Sequence, residues 1–137
     1  MRDLKPQLDI LLAESDEDDY LLFLEAVRDS GRALAIKRVR DGQELVDFLL
    51  GPEKKLNSPV KVIIVDIKMP RLSGIEAIAA IRLNSELQKI PIIVFSGSCS
   101  PVDVDLCYSL GVNSFHQKPI SYEGWVQFVK TVRSNCL

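Results

Sequence analysis

Four short apolar runs spread along this chain each end abruptly in a polar or charged residue. Leu8 to Ala13 lead into Glu14, Val60 to Val65 into Asp66, Ile90 to Phe95 into Ser96, and Val112 to Gln117 into Lys118. Apolar runs this short suit buried strands of a parallel sheet covered by helices on both faces. Parallel strands point the same way, so their carboxyl ends share one edge, where open α/β sheets bind their ligands. Glu14, Asp66, Ser96 and Lys118 are therefore expected to meet at one site, far apart as they are in sequence.

The segments between the runs have helical period. Tyr20, Phe23, Leu24 and Val27 lie on one face after an acidic entry and before Gly31, a suitable stop. Ala33 to Val39 reads as a second strand, Glu44 to Leu50 as a second helix, and Gly51 to Pro59 as a loop. Ile75, Ile78, Ala79 and Arg82 mark a third helix, with partial exposure expected at Arg82. Pro101 to Leu110 alternates Val and Asp at first, as a strand does, but Pro101 at N1 and Gly111 beyond the end favour a helix. Trp125, Phe128, Val129 and Val132 complete a last helix starting near Ser121, a good N-cap. The order is βα five times, which predicts an α/β, flavodoxin-like doubly wound (βα)5 fold with a five-stranded parallel sheet in order 2-1-3-4-5.

A chain of 137 residues, 47% hydrophobic, suits a single domain over 1–137 with its core at about 8–132. A net charge of -2 and a pI of about 5.4 argue against nucleic acid or anionic membrane as a partner held by bulk charge. No run is long enough to span a bilayer and MRDLKPQLD lacks a signal-peptide apolar stretch, so a cytoplasmic location is expected. Cys99, Cys107 and Cys136 form no C-x-x-C pair and are expected as free thiols, and His116 as a surface residue on an edge strand without a catalytic role.

The motifs ILLAESDEDD, VIIVDIKMPRLSG, IPIIVFSGS and GVNSFHQKP together resemble the receiver domains of two-component response regulators, over essentially Leu8 to Val132. The D-E-D-D entry, the E-L-x-x-F-L helix and L-x-x-I-P resemble stand-alone regulators of the phytochrome-associated type. The resemblance implies that Asp66 is the phosphoacceptor, taking a phosphoryl group from a sensor histidine kinase or a histidine phosphotransfer protein. Lys118 and Ser96 then hold phosphoryl oxygens, Phe115 is the aromatic switch, and Glu14, Asp66 and the backbone carbonyl of Lys68 surround Mg²⁺. It also implies no enzyme activity beyond assisting its own phosphorylation and dephosphorylation, a downstream protein target, and a homodimer through the fourth helix, fifth strand and fifth helix.

Some positions depart from the family pattern. Two acidic residues normally follow the first strand, but here the pair is Glu14-Ser15, and a neutral hydroxyl at the direct metal position weakens the hold on a hard dication. Either Asp16 substitutes or water fills the gap; otherwise Asp16 to Asp19 are expected to cap and solvate the first helix. Lys68 stands where a neutral residue is commoner, either adding positive charge at the site or lying solvated at its mouth. Gly97 after the hydroxyl leaves the acyl phosphate more open to water. The rival reading is a degenerate receiver that binds proteins without phosphorylation because Ser15 cripples the metal site. A haloacid-dehalogenase-like phosphatase needs a second Asp where Lys68 stands, and ESDEDD repels the phosphate of a flavodoxin-like electron carrier.

Overall fold

Five strands alternate with five α-helices in the computed structural model, which describes residues 8–51 and 60–137. The strands are β1 (Ile10–Ala13), β2 (Ile36–Val39), β3 (Val62–Val65), β4 (Ile92–Ser96) and β5 (Ser114–Gln117). The helices are α1 (Glu17–Ser30), α2 (Gly42–Leu50), α3 (Gly74–Arg82), α4 (Pro101–Ser109) and α5 (Tyr122–Cys136), with a 3-10 turn at Ser85–Leu87. Every strand pair is parallel and the order is β2-β1-β3-β4-β5, as the alternation of runs and helices predicts. No helix among the described residues is long and apolar enough to cross a membrane.

The period of two along the strands divides the interior in two. Leu11, Ala13, Ile63, Val65, Ile92 and Val94 face the layer that includes Leu45, Leu49, Ala77, Ile78, Ile81 and Cys107. Ile10, Leu12, Val62, Ile64, Ile93 and Phe95 face α1 and α5, through Phe23, Ala26, Val27, Trp125, Phe128, Val129 and Val132. Phe95 stacks on Phe128 with centroids 3.9 Å apart and meets Trp125 edge-on at 5.0 Å, contacts worth about 0.5–1.5 kcal/mol each beyond their burial.

Several boundaries differ from the sequence expectation, each for a local reason. Val60, Ile90 and Val112 are buried ahead of their strands without joining the ladder. Ala33 to Ala35 stay outside β2, where the Ala35 amide donates to the Asp9 carboxylate and its carbonyl accepts from the amides of Asp9 and Ile10. Helix α2 begins at Gly42 rather than Glu44, because the Asp41 carboxylate accepts the Glu44 amide as N-cap. The expected loop from Gly51 to Pro59 lies outside the described residues except for Gly51.

Helix α3 buries Gly74, Ala77, Ile78 and Ile81, a stripe rotated from the expected one, and Ile75 and Ala79 sit at its margins. Arg82 is more than a polar edge. Its guanidinium donates to the carbonyls of Leu87, Gln88, Ile90 and Gly111, tying the end of α3 to the approaches of β4 and β5. Helix α4 is anchored by Cys107 alone among its residues, and Val102, Leu106 and Tyr108 are exposed. All three cysteines are free. His116 does lie on the edge strand, yet its ring is half-buried, edge-on to Phe128 and 3.0 Å from Ser114 Oγ, and burial lowers its pKa.

Gly74 fixes how the chain returns after β3. Its amide donates to the Ile67 carbonyl at 2.8 Å, and a Cβ at this position would stand 2.2 Å from the Asp66 carbonyl oxygen. A backbone oxygen cannot rotate aside, so Gly74→Ala is expected to lower the unfolding free energy in urea by about 1–3 kcal/mol. Gly97→Ala, with no atom within 4 Å of the new methyl, is the control and changes it by less than about 1 kcal/mol.

Candidate functional site

The backbone continues the ladder past the strand ends and so sets the four polar residues side by side. The Glu14 amide donates to the Val39 carbonyl at 3.0 Å, the Asp66 amide to Ala13 at 3.1 Å, and the Lys118 amide to Ser96 at 2.8 Å. Relative exposure is 4% for Glu14, 8% for Asp66 and 1% for Ser96, so these are buried polar groups that need partners. The two carboxylates share Lys118 as partner, whose Nζ lies 2.7 Å from Glu14 Oε1, 2.8 Å from Asp66 Oδ2 and 2.8 Å from Asp19 Oδ2. An ammonium has three N–H donors, and three carboxylates take them.

Burial by itself pulls the Lys118 pKa down, but the carboxylates of Asp19, Asp66 and Glu14 outweigh it and hold the pKa well above the usual lysine value. Burial pushes Glu14 up, the Lys118 ammonium offsets part of that rise, and the Asp66 charge adds to it. The cation gains more from three neighbouring anions than burial costs it, whereas for Glu14 the cost of burial prevails over the attraction of Lys118.

The remaining expected residues take definite places. The Ser96 hydroxyl accepts the Ser98 amide at 3.3 Å. Lys68 is exposed, and its backbone amide donates to Asp66 Oδ1 at 3.3 Å. The Asp16 carboxylate caps α1 by accepting the Asp19 amide at 2.9 Å, while the Asp16 amide donates to Glu14 Oε2 at 3.1 Å. Ser15, Asp16, Lys68, Gly97 and Ser98 line an open pocket of about 360 Å³ together with Glu14, Asp19, Asp66, Ser96 and Lys118. Phe115 is set apart from that lining; its ring packs against the core beneath α4, and its amide donates to the Tyr108 hydroxyl.

Two contributors escape the sequence reading. Asp19, read there with its neighbours as capping and solvating, reaches Lys118 because acidic side chains in a first helical turn lean back toward the helix start. Its N3 position after a strong N-cap is the signal that finds it. Arg38, its side chain 7% exposed, donates from Nε to the Glu14 carbonyl at 2.9 Å and pairs with Glu17, steadying the turn out of β1.

Among the described residues, no three His, Cys, Asp or Glu side chains are placed to hold a metal ion together. A hard, well-hydrated dication needs only one or two carboxylates. The oxygens not bonded to Lys118, Asp66 Oδ1 and Glu14 Oε2, supply those, in a pocket wide enough for the ion's waters. The donor set fits such an ion.

The family model described as response regulator receiver domain matches residues 10–130. The Synechocystis response regulator Rcp1 is 30% identical over 126 residues, covering 91% of this chain and 86% of that protein. A probable methanogenesis regulatory protein, FilR2, of Methanothrix harundinacea is 30% identical over 124 residues, 90% of this chain and 80% of that one. Among solved structures, the Mn²⁺-bound form of Rcp1 superposes with a TM-score of 0.82 at 30% identity, covering 95% of this chain and 94% of that one. The phosphorylated cyanobacterial phytochrome response regulator RcpA gives 0.84 at 28% identity, with 96% and 94% covered.

Lys118 is the counter-charge of this cluster, so Lys118→Met leaves Glu14 and Asp66 facing each other without it. Breaking a fully buried pair costs about 3–5 kcal/mol; with this pocket open to water, a loss of about 1–3 kcal/mol in urea unfolding at neutral pH is expected, with the fold retained. The loss shrinks in acid, where Glu14 takes up a proton, because the repulsion exists only between ionised groups. A variant as stable as the wild type at neutral pH contradicts this role.

Proposed function

The chain belongs to the response regulator receiver domain family of two-component systems, and on that premise we propose that it is a phospho-switch whose acceptor is Asp66. The observation that carries this reading is the Asp66–Lys118 contact of 2.8 Å at the sheet edge, inside a pocket that also holds Ser96 and Glu14.

One carboxylate oxygen of Asp66 attacks the phosphorus of a phosphohistidine on a sensor kinase or phosphotransfer protein. The O–P bond forms as the P–N bond breaks, and the departing imidazole keeps the electron pair and takes a proton from water. The protein's task in such a transfer is positioning and charge stabilisation. Lys118 supplies a fixed cation already directed at Asp66, and its burial strengthens that attraction. Ser96 exchanges its bond from the Ser98 amide for one to a phosphoryl oxygen, moving the β4–α4 connection. Mg²⁺ at Glu14 and Asp66, when bound, offsets charge on the phosphoryl oxygens. Ser15, which also lines the pocket, would offer such an ion a neutral hydroxyl, a weaker ligand than a carboxylate.

The output is a protein contact on the α4, β5 and α5 side, including self-association of the modified form. Val102, Leu106, Tyr108 and Ile120 are exposed there, and lightly anchored α4 is the element easiest to displace.

Incubation with a small phosphodonor and Mg²⁺ is expected to add the mass of one phosphoryl group to the wild type and none to Asp66→Asn. A wild type that stays unmodified with both small donor and phosphohistidine protein overturns the reading in favour of a phosphorylation-independent binding module. Titrated by calorimetry at fixed ionic strength, Ser15→Asp is expected to bind Mg²⁺ about tenfold or more tightly than the wild type. Equal affinities remove Ser15 from the metal position.

A further inference from the structure

Helix α1 opens like a capping box but is wired differently. In such a box the N3 carboxylate accepts the N-cap amide, as Glu76 does for Ser73 at the start of α3. In α1 the N-cap is Asp16 and N3 is Asp19, yet the Asp16 amide goes to Glu14 Oε2 at 3.1 Å. Asp19 is thereby released from capping, and its carboxylate is on Lys118 Nζ at 2.8 Å.

Building on the phosphoacceptor reading above, we propose that Asp19 is a positioning residue: with Glu14 it anchors two N–H groups of Lys118, so that the third is aimed at Asp66 and at the phosphoryl group arriving there. The three carboxylates come from the end of β1, the first turn of α1 and the end of β3, so they approach Nζ from separate elements. When Asp66 becomes an acyl phosphate, the N–H it held turns to a phosphoryl oxygen while Glu14 and Asp19 keep the other two. The ammonium therefore keeps two of its three contacts during transfer, and limited reorganisation is the condition under which a charged group stabilises a transition state most. The positive end of α1 steadies the Asp19 charge in turn. Ser15 makes the anchor more consequential, since without a second acidic residue after β1 the extra anion beside Lys118 comes from the helix.

Asparagine at position 19 keeps an oxygen acceptor and loses the charge; alanine loses both. The neighbouring Asp18 is exposed and outside the pocket lining, so Asp18→Ala removes the same charge without the anchor. Two measurements on the full chain separate the cases: initial phosphorylation by phosphoramidate at saturating Mg²⁺, followed by intact mass, and the side-chain ammonium resonance of Lys118 in ¹⁵N-lysine-labelled protein. Asp19→Ala is expected to slow phosphorylation about tenfold or more and to broaden the Lys118 resonance, while Asp19→Asn stays within about threefold with the resonance retained. Asp18→Ala should match the wild type in both. Anchoring is overturned if Asp19→Ala leaves rate and resonance unchanged. It is overturned equally if Asp18→Ala slows the reaction as much as Asp19→Ala, or if both Asp19 variants slow it alike with Lys118 still ordered. A wild type that accepts no phosphoryl group defeats the phosphoacceptor reading alone. The resonance in Asp19→Ala against Asp19→Asn then decides the anchor by itself.

Discussion

One buried ammonium shared by three carboxylates is the interaction on which the functional edge of this molecule depends. Without Lys118, the ends of β1 and β3 and the first turn of α1 bring like charges together in a partly desolvated pocket. With it, the same charges become a site whose geometry is set before any donor arrives. The arrangement is tense in a useful sense: burial keeps Glu14 reluctant to ionise while Lys118 is held firmly charged. On the function proposed above, a phosphoryl group entering this cluster would meet a cation already in place beside Asp66.

The fold contributes rigidity and register. Backbone hydrogen bonds from Glu14, Asp66 and Lys118 extend the parallel ladder one residue past the strands, so these side chains share the positional precision of the sheet. Gly74 lets α3 press against the Asp66 carbonyl, and Arg82 binds the end of α3 to the segments before β4 and β5. By contrast α4 buries a single side chain, and the Tyr108 hydroxyl meets the Phe115 amide on β5. A stiff sheet edge beside a lightly held helix is the mechanical asymmetry on which the proposed switch rests.

Much of this was legible in the sequence because it depends on short-range pattern. Apolar runs ending in Glu14, Asp66 and Ser96, with a more polar edge run ending in Lys118, specify both the parallel sheet and the shared edge, since strand direction alone decides where a strand-end residue lies. Asp19 was not legible as a partner of Lys118, because its role turns on which acceptor claims the Asp16 amide, a choice made in three dimensions by Glu14. The bonds of Arg82, and the bond by which Arg38 holds the turn out of β1, were hidden for a similar reason: they go to backbone carbonyls, which carry no mark in the sequence. The stripe of α3 was misplaced by a fraction of a turn because this helix packs on both the sheet and α2, which widens its apolar face.

The most direct test of the central claim is a crystal structure of the protein with Mg²⁺ and beryllium fluoride, a mimic of the phosphoryl group. The account predicts a fluoroberyllate on an Asp66 oxygen, with Lys118 Nζ in hydrogen-bonding contact with a fluorine and still bound to Glu14 and Asp19. A fluoroberyllate absent from Asp66, or one that Lys118 turns away from, would contradict it.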